Sequence, residues 1–138
     1  MKKKLLLITI LVLTIFISGC DKKESLVCES RNSDTGSSNS TKVTLNFVNS
    51  KLSSIYEDGT ITFDRSYTKY IDTYKESLDS IYKIKGVNYS ATVANDTINV
   101  KISADGKNVN KLMDILNIKD EGKDKIKKEL TSRGYNCK

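Results

Sequence analysis

The sequence has 138 residues, with 23 lysines and arginines against 17 acids for a net charge of +6, and it contains no histidine, proline or tryptophan. The lack of histidine removes Ser-His-Asp and Cys-His catalysis and the commonest zinc ligand. The positive balance is small and its lysines are not clustered on one element with interleaved aromatics, so nucleic acid is not an expected partner.

At the start, Lys2, Lys3 and Lys4 precede an uncharged apolar run of 13 residues, Leu5 to Ile17, closed by Ser18-Gly19 and then Cys20. A helix of that length covers roughly 20 Å, short of the ~30 Å hydrocarbon core that a resident span must cross. The run therefore reads as a targeting segment whose positive end stays on the cytoplasmic side while the following chain is exported. Ile17 stands where an ordinary secretory signal has a small residue, and a cysteine follows the expected cut. In these features residues 1–20 resemble a bacterial lipoprotein signal peptide with its lipobox, Ile17-Ser18-Gly19-Cys20. The resemblance implies cleavage after Gly19, transfer of a diacylglyceryl group to the Cys20 sulfur, and anchoring on the extracytoplasmic face of the cell membrane by acyl chains such as palmitate. Each buried CH₂ adds ~0.8 kcal/mol, so two or three chains hold durably where one is marginal. The other readings are an uncleaved anchor and a secreted protein with an incidental cysteine.

Without residues 1–19 the chain keeps 119 residues and, three lysines fewer, a charge of +3, a usual size for one domain. Residues 20–25 are expected to form a lipidated tether and 26–138 a single domain. Leu26 to Ser30 reads as a first strand, and Arg31 to Thr41, rich in Ser, Asn and Gly, as a loop. Val43, Leu45 and Phe47 alternate with Thr44 and Asn46, the period of a half-buried strand. Asn49-Ser50 turns into Lys51 to Glu57, and Asp58-Gly59 turns again into Thr60 to Phe63, which makes an antiparallel meander.

Tyr67, Ile71, Tyr74, Leu78, Ile81 and Tyr82 recur every three or four residues and predict one helix of about five turns. Asp64 or Ser66 is its expected N-cap, Lys83 and Lys85 suit its C-terminal end, and Gly86 is the left-handed stop. Val87, Tyr89, Ala91 and Val93 alternate, Asn95-Asp96 turns, and Ile98, Val100 and Ile102 alternate again, a hairpin. Asn108 and Asp120 are expected to cap two short amphipathic helices, one through Leu116 and one through Leu130 to Gly134. Together these elements predict an α+β domain: one antiparallel sheet with the long helix and one or two C-terminal helices on one face. The order of strands, a helix ending Ile84-Lys85-Gly86-Val87, a hairpin and a C-terminal helix ending Gly134-Tyr135-Asn136-Cys137 is similar to that of small YehR-like lipoproteins over about residues 26 to 138. That resemblance implies the fold and brings no activity with it.

Once Cys20 is acylated, Cys28 and Cys137 remain, near the two ends of an exported chain, and are expected to pair. Two free thiols or a redox couple are the alternatives, and no C-x-x-C spacing favours the latter. No catalytic residue, metal site or cofactor is indicated. Asp72, Glu76 and Asp79 lie three or four apart on the long helix, where two can share a proton or a hard cation; a solvated acidic face interleaved with Lys69, Lys75 and Lys83 is the competing reading. Tyr67, Tyr70 and Tyr74 form a candidate exposed aromatic surface for a sugar ring or a partner, against a reading in which Tyr67 and Tyr74 point to the core. The expected function is a non-enzymatic envelope module that binds an envelope protein, wall polymer or small ligand, with membrane lipid engaged through Cys20. The alternative is a small extracytoplasmic enzyme using carboxylate or tyrosine side chains, and a purely structural surface antigen is a third reading.

Overall fold

The computed structural model describes residues 20–138. The expected leader and its cleavage point after Gly19 lie outside the described residues. Six strands, β1 (Lys23–Asp34), β2 (Ser37–Val48), β3 (Lys51–Phe63), β4 (Asn88–Ala94), β5 (Thr97–Asp105) and β6 (Asn136–Cys137), form one antiparallel sheet in the order β4-β5-β3-β2-β1-β6. The described helices are α1 (Ile71–Tyr82), α2 (Val109–Leu116) and α3 (Lys123–Ser132). The fold is α+β, as predicted.

Strand phase explains why the helices gather on one side. Cross-strand register aligns Leu26, Leu45, Ile55 and Ala104 in one row and Cys28, Val43, Glu57, Ile102 and Tyr89 in the next. Nearly all of these are buried apolar side chains, and they share a face because side chains alternate along a strand. The opposite face is polar: Ser25 Oγ donates to Asn46 Oδ1 at 2.7 Å, and Asn46 Nδ2 donates to Ser54 Oγ at 3.0 Å. One face needs a helical cover and the other is content in water. The cover is uneven. The short α2 buries Val109, Leu112 and Met113, and α3 buries Ile126 and Leu130, but the longer α1 buries only Ile71, leaving Ile81 48% exposed.

Several local expectations are corrected. β1 begins at Lys23, so the sheet takes half of the expected tether. The loop expected over Arg31 to Thr41 is a long hairpin whose strands reach Asp34 and Ser37, because cross-strand pairing continues beyond the last apolar residue. Asp58-Gly59 is not a turn: β3 runs straight through it, hydrogen-bonded to β2 on one side and β5 on the other, and two ladders outweigh a local turn preference. The helix expected over five turns is a 3₁₀ segment, Arg65–Tyr70, followed by α1. Asp64 and Asn108 hold N-cap positions without a side-chain hydrogen bond, and α3 starts after Gly122 rather than Asp120. The Gly106–Asn108 3₁₀ turn and Arg65–Tyr70 precede their helices and use i→i+3 bonds where caps were expected. Asn49 and Ser50 do turn, with φ of 51° and 67°, the left-handed pair that a two-residue hairpin of this twist demands.

Candidate functional site

Cys20 is exposed, and the chain is fastened immediately after it. Lys22 N donates to Asn49 Oδ1 at 3.0 Å, Asn49 N donates to the Lys22 carbonyl at 2.8 Å, and Asn49 Nδ2 donates to Asp21 Oδ1 at 2.8 Å. The β2–β3 turn thus grips the chain from Asp21 onward, leaving Cys20 as the outermost described residue at that end of the sheet.

Cys28 and Cys137 are joined by a disulfide across a sequence separation of 109, directly opposite one another in the β1–β6 register. Backbone bonds between Val27 and Lys138, at 2.8 and 3.1 Å, extend that pairing. β6 is only two residues long, and the crosslink adds to these backbone bonds, and to the Tyr135 N–H bond to the Leu130 carbonyl, in holding the C-terminal segment at the edge of the sheet beside β1.

The aromatic surface Tyr67, Tyr70 and Tyr74 lies along the 3₁₀ segment and the start of α1, with 37%, 49% and 45% exposure. Each ring is committed on one side. Tyr74 packs edge-on to Phe63 at 5.5 Å, and Tyr67 and Tyr70 tilt together at 6.2 Å. Tyr67 also covers Gly36, where a Cβ would come within 2.6 Å of the ring. Glycine at the β1–β2 tip, at φ +90°, is therefore required both by the turn and by this close approach. The three tyrosines form a rim stitched to the hairpin tip, and no two adjacent members are more than half exposed.

The acidic trio separates. Asp72 and Glu76 are exposed, while Asp79 receives Lys83 Nζ at 2.8 Å, Lys75 Nζ at 3.0 Å and the Tyr89 hydroxyl at 2.9 Å. These donors, Lys83 foremost and then Lys75, hold its carboxyl well below the usual carboxylate range. Asp79 is a clamp between α1 and β4. Among the described residues no group of three or more Cys, Asp or Glu is arranged to hold a metal ion.

A second carboxylate, overlooked in the sequence pattern, has the opposite surroundings. Glu57 sits in the central strand β3, in phase with Ile55 on the helix-bearing face, and is only partly exposed. Among the described residues no lysine or arginine lies within 4.0 Å of it, and burial pushes its carboxyl from the usual 4.5 up to about 6. Its charge acts on two tyrosines. Tyr82 of α1, stacked on Tyr89 at 5.7 Å, is raised to about 12, by burial first and then by the charges of Glu57, Tyr135 and Tyr74. Tyr135 is raised by burial and then by Glu57, with Ser30 and Arg133 pulling the other way. Two residues along the same strand face, a Cβ placed on Gly59 would meet only the Val100 Cβ, at 3.7 Å. On this face α2 packs on β3 and β5, α1 on β4 and β5, and α3 on β1 and β6.

The phase of β3 could have revealed Glu57. Ile55, Glu57, Gly59 and Ile61 alternate in one continuous strand, and a turn placed at Asp58-Gly59 breaks that phase and hides an acid on the apolar side. Tyr56, Asp58, Asn88, Ser90, Lys101 and Ser103 of the polar face, together with Glu57, Tyr89 and Ile102, line an open depression of about 340 Å³ in which Asp58 and Lys101 are cross-strand neighbours of opposite charge. It is a solvated polar surface. None of the described helices is long and apolar enough to cross a membrane.

A scan of protein-family models and a search of curated proteins give no match. Two solved structures are similar. The NMR structure of the E. coli YehR protein superimposes with a TM-score of 0.63 at 20% identity, over 86% of this chain and 93% of that one. The NMR structure of a protein from Streptococcus pneumoniae TIGR4 gives a TM-score of 0.51 at 14% identity, over 88% of each chain. At these identities the likeness is one of architecture, and the chain has a YehR-like fold.

Proposed function

We propose that this chain is an exported lipoprotein, anchored through acyl chains on Cys20 to the extracytoplasmic face of the membrane, whose folded domain is a non-enzymatic binding module. The observation that carries the reading is the sequence Lys2-Lys3-Lys4, an apolar run too short to span, and Ile17-Ser18-Gly19-Cys20. Two structural features support it. Cys20 is exposed ahead of the clamp at Asn49, so a diacylglyceryl group there would leave every strand pairing untouched. A disulfide between Cys28 and Cys137 suits an oxidising compartment outside the cytoplasm. The binding role is favoured over catalysis because Asp79 is paired with two lysines and no second carboxylate acts on Glu57.

The test is detergent partition of the full chain expressed in a bacterium that processes lipoproteins. The expected result is recovery in the detergent phase of Triton X-114, with a mass showing residue 20 as the acylated N-terminus. Recovery in the aqueous phase with Gly19 still attached, or with an unmodified Cys20, would sink the proposal.

A further inference from the structure

We propose that the outer edge of β4 pairs with β4 of a second copy of this chain, antiparallel about Ala91, joining two sheets into one. This goes beyond the reading of the chain as an anchored binding module and does not rest on it. β4 ends the sheet, with β5 on one side and no strand among the described residues on the other. Which of its backbone groups are free follows from the register. Ala94 and Thr97 face each other across the Asn95-Asp96 turn, and Phe63 N donates to the Asp96 carbonyl at 2.8 Å. Asp96 and, by alternation, Ile98, Val100 and Ile102 therefore turn their backbone groups toward β3. Thr97, Asn99, Lys101 and Ser103 are left to bond Ala94, Thr92, Ser90 and Asn88, so the N–H and C=O groups of Tyr89, Ala91 and Val93 point outward. No backbone hydrogen bond outside the sheet ladders reaches these three among the described residues.

This edge carries none of the devices that keep sheet edges apart. No residue of Asn88–Ala94 is charged or proline, and the β4–β5 register runs without a bulge. The opposite edge is blunted twice: β1 carries Lys23, Glu24, Glu29, Arg31 and Asp34, and β6 lies along part of it with α3 packed on both strands. A second copy fits because the strand is its own complement. Turned about Ala91, Tyr89 faces Val93 of the second copy and Ser90 faces its Thr92, an aromatic on a β-branched side chain and a hydroxyl on a hydroxyl, pairs that stabilise antiparallel sheets. Tyr89 with Val93, Ala91 with Ala91 and Val93 with Tyr89 all join outward-pointing backbone groups, so each pair exchanges both N–H···O bonds, and no like charges meet. The side chains agree with that placement. Val93 is 41% exposed on the apolar side of the edge. The Tyr89 ring stacks on Tyr82 at 5.7 Å and its hydroxyl donates to Asp79 at 2.9 Å, which holds the ring over its own sheet. Because side chains directly opposed across the pairing share a face, both copies of α1 lie on the same side of the joined sheet, in an isologous contact.

The experiment is disulfide trapping on the full chain in detergent, oxidised with copper phenanthroline and read on a non-reducing gel. Directly opposed residues of a hydrogen-bonded antiparallel pair lie ~5.5 Å apart at Cα, within the span that a disulfide accepts. Ala91→Cys should give a covalent dimer several-fold above the wild-type lane, which accounts for Cys20. Val93→Cys alone should give none, because its two copies stand roughly 14 Å apart at ~3.4 Å per residue, and adding Tyr89→Cys to it should restore the dimer. Amide exchange of the unmodified chain is the second reading and needs no variant. At fixed detergent the Tyr89, Ala91 and Val93 N–H groups should exchange ~10-fold more slowly in concentrated than in dilute protein, with Ser90 and Thr92 as the ladder reference. Ala91→Pro should remove that concentration dependence and keep the fold, since the lost N–H points outward on an edge strand. No Ala91→Cys dimer above the wild-type lane, an equal yield through Val93→Cys alone, or exchange that is fast at every concentration overturns the pairing. Protection that persists on dilution because a different chain co-purifies gives the edge to another strand and overturns the second copy. Protein that fails these tests and still partitions into Triton X-114 would lose this contact and leave the anchored module standing.

Discussion

Asp79, on α1, and Glu57, on β3, are treated in contrary ways. Asp79, at the rim, collects Lys83, Lys75 and the Tyr89 hydroxyl and ties a helix to an edge strand. Glu57, on the central strand β3, has no ion pair among the described residues and is desolvated by burial, and its charge acts on Tyr82 and Tyr135. The first arrangement favours the charged form and contributes to folding. The second opposes the charged form and costs stability at neutral pH, the pattern expected where a group is kept for something other than holding the fold.

The hardest way to break the contrast is to free the C-terminal segment that carries Tyr135. Replacing Cys28 and Cys137 by alanine opens a crosslink across a separation of 109 residues and should cost about 4–5 kcal/mol in urea unfolding. In the folded fraction the Glu57 carboxyl should titrate closer to 4.5, because Tyr135 no longer shields it, while Asp79 is unmoved. A Glu57 titration unchanged by loss of the disulfide would mean that α1 alone desolvates it.

Next in size is Glu57→Gln. The folded state holds the Glu57 proton more tightly than the unfolded state does, so this group's contribution is full below pH 4.5 and is lost as pH rises through about 6. The variant should therefore be more stable than wild type by ~1–2 kcal/mol at pH 7.5 and equal to it near pH 4. Thermal or urea melts at the two pH values read this directly, and a destabilised variant at pH 7.5 would reverse the account.

Asp79→Asn should show the smallest effect and the opposite slope. Its depressed carboxyl contributes above the usual 3.8 and loses that contribution as pH falls further. The variant should be less stable than wild type at pH 7 and indistinguishable at the acid end of the range, with added salt shrinking the difference because the pair is near the surface. Lys83→Ala should release the Asp79 carboxyl more than Lys75→Ala does, since Lys83 is its stronger partner.

Much of the architecture was legible in particular residues. Val43, Leu45 and Phe47 marked a strand by alternation, Asn49-Ser50 and Asn95-Asp96 marked turns that the backbone makes with positive φ at Asn49, Ser50 and Asn95, and the two cysteines remaining after Cys20 found each other. The candidate site was much less legible. Tyr82 and Tyr89 were visible as members of a helix face and a strand, but Tyr135 gave no sign that it would come within reach of the Glu57 charge. Glu57 was concealed by Asp58-Gly59, whose turn preference is local and small compared with hydrogen bonding along both edges of the strand. The separation of Asp79 from Asp72 and Glu76 likewise needed Tyr89, which reaches it from another element.

The sequence by itself determined the identity and order of most strands and helices and the sidedness of the sheet, and it made Cys28 and Cys137 an expected pair that the structure joins. These follow from periodicity and from the small number of partners available, quantities carried by neighbouring residues. Tertiary structure alone decided that β3 passes unbroken through Gly59, that α1 covers its edge of the sheet only partly, and that one acid meets lysines while the other is buried without a counter-charge. Desolvation and counter-charge depend on what distant segments bring within a few ångströms, and no local pattern encodes that distance.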